Sequence, residues 1–100
     1  MAKTKTKKST KRWDAAKYLR DEKDMVAYLE AALEDGDSGV VAAALGDIAR
    51  AKGMTTVARR AGLGRESLYK ALSTGGNPEL HTVLRVVRAL GIRLHAATVR

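Results

Sequence analysis

Residues 54–73 read MTTVARRAGLGRESLYKALS. Two short helices around a tight turn account for this stretch: Thr55 to Ala61 with Thr55 as its cap, then Gly62-Leu63-Gly64, then Arg65 to Leu72. A steep crossing of two such helices makes four demands. A small residue must stand in the first helix where the second crosses it, and Ala58 is there. A residue tolerant of positive φ must make the turn, and Gly62 follows four residues later. Leu63 is the apolar side chain that can plug the turn, while Val57, Leu68 and Leu72 can anchor the pair inward. The spacing predicts a helix-turn-helix over Met54–Ser73. An Ala-x-x-x-Gly pattern also arises by chance in helical scaffolds, so the outward residues must decide what the pair is for.

The second helix is expected to expose Arg65, Glu66, Ser67, Tyr69 and Lys70. In a helix-turn-helix its N-terminal part enters the major groove. Arg65 can bridge guanine O6 and N7, Glu66 can accept from cytosine N4, and Ser67 can donate or accept. Tyr69 and Lys70 suit phosphate or sugar. Thr55 and Thr56 stand at a helix N-terminus, whose free N–H groups favour a phosphate. Arg59 and Arg60, expected on the exposed side of the first helix, can hold the backbone. Phosphate contacts set register and base contacts set sequence.

Charge supports this reading without proving it. The chain has 100 residues and a formal net charge of +8. Residues 1–12 carry six bases (Lys3, Lys5, Lys7, Lys8, Lys11, Arg12) and no acid. Residues 13–49 carry three bases against nine acids, and residues 50–100 carry ten bases against two acids. A basic half suits a polyanion, because each phosphate contact releases counterions; a solvated basic face that aids solubility would look the same. The Lys/Thr/Ser-rich residues 1–12 are expected to form a disordered basic tail, either a solubility feature or a non-specific DNA arm.

Length allows one domain, here residues 13–100. Phe is absent and aromatics are 4 % of the chain, so the core must be Ala, Leu, Val and Ile, which favours packed helices. With no cysteine, disulfides and thiolate metal sites are excluded. No apolar run reaches a membrane span and none follows the basic N-terminus, so the cytoplasm is the expected location. His81 and His95 are isolated, no Gly-rich phosphate loop follows a strand, and no Ser/His/Asp group can be built. No enzyme and no cofactor are expected.

Outside the helix pair, apolar periodicity predicts three more helices. The first, Asp21 to Asp35, has a stripe of Met25, Tyr28, Leu29, Ala32 and Leu33, with Asp21 as N-cap and Gly36 as its stop. A helical turn over Trp13–Leu19 before it would lay Trp13, Tyr18 and Leu19 on the core. The second starts at Asp37 or Ser38, buries Val41, Ala44, Leu45, Ile48 and Ala49, and stops at Gly53. Gly46 inside it costs about 1 kcal/mol relative to Ala, which close helix approach would explain. The last starts with Asn77 as cap and Pro78 in the first turn, and carries Leu80, Val83, Leu84, Val87 and Leu90 up to Gly91. Ile92 to Val99 alternates well enough for a short strand, paired with a second copy of the chain.

These residues also carry a family resemblance over about residues 13–96. The most specific run is Gly62 to Ser73 with Gly76-Asn77-Pro78. Asp14 to Leu19, Tyr28-Leu29, Ala31 to Glu34, Ala44 to Met54, Thr82 to Leu84 and Ala89 to Gly91 complete it. The chain resembles the addiction-module antidotes, downstream antitoxins related to the HigA type with a lambda-repressor-like (Xre) domain. The resemblance implies an all-α fold: five helices of the lambda-repressor kind with extra N-terminal helical structure. It further implies an antitoxin that represses its own operon on double-stranded operator DNA and neutralises a RelE/ParE-like toxin. A homodimer suits the half-site geometry of the motif. Two departures stand out. Thr56 replaces the Gln usual in lambda-like repressors, and Gly64 stands where the family often has Ser. A stand-alone repressor without a toxin, and an interaction module that has lost DNA binding, are the rival readings.

Overall fold

Aspartates begin the first two long helices, because their short carboxylates can reach the unpaired N–H groups of a first turn. Asp21 accepts from the Asp24 N–H at 2.9 Å and Asp37 from the Val40 N–H at 3.1 Å. In the computed structural model, which describes residues 15–73 and 75–99, α1 spans Glu22–Asp35 and α2 Ser38–Lys52. Then come α3 (Met54–Ala61), α4 (Arg65–Ala71) and α5 (Leu80–Ala89). A 3-10 turn, Ala15–Tyr18, precedes them. The fold is all-α, as expected, with five α-helices and no strand among the described residues. The basic tail 1–12 and the placing of Trp13 lie outside those residues.

Packing joins α1 to α2, α2 to α3, and α3 to both α4 and α5. Leu45, Ile48, Leu68, Leu90, Val57 and Val86 are fully buried at the centre. The small residues Ala49, Ala58 and Ala61 let the helices close on one another in a core without Phe. Tyr28 donates from its hydroxyl to Asp47 Oδ2 at 2.6 Å, and Arg50 donates to Asp47 Oδ1 at 2.8 Å. Asp47 is thereby shared between α1 and α2. Burial, then the hydrogen bond to this carboxylate, pushes the Tyr28 hydroxyl up to about 12.

Several expected details differ. Gly53 serves both α2 and α3: its N–H donates to Ala49 O and its carbonyl accepts from Val57 N–H. There is no room for a separate cap, so α3 begins at Met54 and Thr55 lies inside the first turn. Asn77 and Pro78 do not open α5. The chain turns at Gly76, whose N–H donates to Ser73 O, then runs extended to Glu79, the residue preceding the helix. Leu19 is buried as expected, but Tyr18 is 60 % exposed and Leu33 is also exposed.

The largest difference is on α5. Leu80 and Leu84, expected in the core, are 71 % and 47 % exposed, while Val86 and Ala89 are buried instead. The apolar band on this helix is wider than one neighbour can cover, and α3 takes the face of Val83, Val86, Val87 and Leu90. Ile92–Val99 is neither helix nor strand, and no strand lies beside it among the described residues of the chain.

Gly46 is explained by close approach, though not to the shaft of a helix. A Cβ there would sit 2.5 Å from the carbonyl oxygen of Leu72, at the end of α4. Gly46→Ala should therefore destabilise the protein by roughly 1 kcal/mol or more, since overpacking against backbone outweighs the gain in helix propensity. Urea denaturation measures this directly; a variant as stable as the parent would mean that the α2–α4 contact has slack.

Candidate nucleic-acid interface

The candidate site is built on a seven-residue helix that could not persist alone, since isolated helices this short are unstable in water. Tertiary anchors hold it. Leu68 is 0 % exposed and Leu72 is buried, both within the central core. With this side facing inward, the 3.6-residue period turns the intervening residues outward. Arg65, Glu66, Ser67, Tyr69 and Lys70 are all exposed, as the sequence led us to expect.

The turn before α4 has the geometry the residues called for. Gly62 lies at φ 70°, in the left-handed region. Its N–H donates to Arg59 O at 3.2 Å and the Leu63 N–H donates to Ala58 O at 2.9 Å, which satisfies the last carbonyls of α3. Leu63 packs, half-buried, against the core, and Ala58 is buried.

Thr55, Arg59 and Arg60 on α3 are exposed, and Thr56 is half-buried. No side chain caps the first turn of α3. Arg59 and Arg60 fall in its last turn, where a cation also complements the helix dipole. Phosphate contact is thus one of two physical reasons for their position.

Two contacts were not read from the sequence. The Arg65 guanidinium lies over the Tyr69 ring, 5.7 Å from its centroid. The spacing of four residues along a helix was the available signal. Such an exposed contact is worth about 0.5–1 kcal/mol, enough to bias Arg65 toward one orientation. Arg85 of α5 donates from Nη2 to Gly62 O at 3.0 Å. No local pattern announces this contact, since 23 residues separate the partners. It ties α5 to the turn that aims α4. His81 is exposed and lies 3.1 Å from Glu79.

A family model described as "Probable addiction module antidote protein" matches residues 9–98. An uncharacterised protein of Haemophilus influenzae (strain Rd) is 45 % identical over 83 residues, which covers 83 % of this chain and 86 % of that protein. No solved structure matches the chain.

Replacing Arg85 with Ala should loosen the α3–α4 turn at a cost of about 0.5–1.5 kcal/mol. Thermal unfolding together with amide exchange at Gly62–Leu63 would register it. Unaltered exchange at the turn would assign Arg85 no part in holding it.

Proposed function

We propose that this chain, which belongs to the probable addiction module antidote family, is an antitoxin that also represses its own operon. On this reading Met54–Ser73 is a helix-turn-helix of the Xre, HigA-related kind. It binds double-stranded operator DNA in the cytoplasm, and the partner protein is a RelE/ParE-like toxin. The family implies a toxin partner; the DNA-binding role rests on the site.

The observation that carries the DNA reading is the split of α4 into a buried side and an exposed polar side. Arg65, Glu66 and Ser67 are proposed to read base edges. Thr55, Thr56, Arg59, Arg60, Tyr69 and Lys70 are proposed to hold phosphates. Thr56 is shorter than the Gln of lambda-like repressors, so its backbone N–H, at the start of α3, is the group best suited to a phosphate.

The exposed leucines of α5 support a homodimer. Leu80 and Leu84 stand four residues apart on one side of the helix, next to no described neighbour that covers them. An isologous contact through this side would bury both leucines twice; binding two half-sites then requires the two recognition helices to lie about 34 Å apart, one turn of DNA.

Two outcomes test the proposal. Binding to the DNA upstream of the gene, measured across a salt series against a scrambled duplex, should be tight, specific and weaker as salt rises. Arg65→Ala should cost about 1–3 kcal/mol and relax preference at one base pair. Equal, weak binding of both duplexes would leave the antitoxin role without a repressor role. Leu80→Glu with Leu84→Glu should leave the fold intact, since both residues are exposed, but shift sedimentation toward monomer and weaken operator binding. A dimer unaffected by both changes would move the interface elsewhere.

A further inference from the structure

An open groove of about 520 Å³ runs between α1 and α2, on elements that the DNA reading does not use. Its floor is small and apolar: Ala31 and Ala32 from α1, Ala43 and Ala44 from α2. Asp35 and Asp37 stand at one end, where the two helices are joined. Tyr28 and Val40 complete the walls, and Val40 is an exposed apolar side chain. The groove is formed because alanines leave space between helices that Leu29, Leu45 and Ile48 hold together lower down.

We propose that this groove is the docking site for the toxin, which enters it with apolar side chains flanked by Lys or Arg. The proposal rests on the antitoxin reading above. Charge selects the occupant. The residues that line the groove include two acids, Asp35 and Asp37, and no base. The RelE/ParE-like toxin of that reading is taken to act on RNA, and a protein that does so presents a cationic surface to its polyanionic substrate. An acidic rim attracts such a surface, speeds encounter and fixes orientation, while the apolar floor supplies the burial. The basic residues 1–12 of this chain match the rim but not the floor, because they contain almost no apolar side chains. None of the lining residues lies on α3 or α4, so toxin and operator can be held together by one chain.

The test is titration calorimetry of the full chain with the toxin encoded beside it. Ala31→Lys places a cation and a long side chain in the groove, and Asp35→Lys reverses the rim; both residues are exposed, so the fold should survive. Asp37 is left alone because it caps α2. Each variant should bind the toxin at least tenfold more weakly, with operator affinity unchanged within twofold, and Ala31→Ser should bind as the parent does. Parent-like toxin affinity in the double variant would overturn the groove while leaving the antitoxin reading in place. If the parent itself neither binds nor neutralises that protein, the antitoxin reading falls and the groove proposal with it.

Discussion

The close contact between Gly46 of α2 and the Leu72 carbonyl at the end of α4 sets much of the candidate site. A seven-residue helix has too few internal hydrogen bonds to hold its own direction. Its orientation is borrowed from α3, against which it packs, from α2 through a glycine that lets one backbone approach another, and from the burial of Leu68 and Leu72. Once those groups are seated, Arg65, Ser67 and Lys70 have nowhere to point but solvent. The Arg85–Gly62 hydrogen bond adds a second tether from α5 at the other end of α4. The displayed surface is thus fixed by contacts made on its opposite side.

Polarity follows the same division of labour. Acids concentrate in residues 13–49 and bases in residues 50–100, so that the last turn of α2 already carries Arg50 and Lys52. Some acids have structural work: Asp21 and Asp37 cap helices, and Asp47 links Tyr28 to Arg50. Asp24 pairs with Arg20 and Glu22 with Lys52, while Asp35 and Asp37 stand at one end of the α1–α2 groove. The basic half lacks such internal pairing on α4, where Glu66 is the lone acid. This asymmetry along the sequence suits the two partners proposed above.

Local signals were legible where chemistry permits few alternatives. Asp21, Asp37, Gly36, Gly53 and Gly62 each satisfy a backbone demand that few residues can meet, and each stands where the sequence placed it. Thr55 and Asn77 were plausible caps by the same logic and were overruled. At Thr55 a shared glycine already closes both helices; at Asn77 the chain has only just turned at Gly76, and Glu79 is the residue that precedes α5. Capping preference is worth about 1 kcal/mol, less than the packing that positions neighbouring helices.

The sequence by itself determined the helical class, the order of five helices, the turn at Gly62 and the exposed residues of α4, because these follow from periodicity and from conformations that only certain residues adopt. Tertiary structure alone decided which part of the α5 apolar band is buried, why Gly46 must lack a side chain, and that Arg85 reaches the turn. It also decided that alanines on α1 and α2 leave a groove rather than a closed seam. The reason is common to all four. Each depends on the distance between elements far apart in the chain, and a periodic pattern specifies a face of a helix without specifying what lies against it.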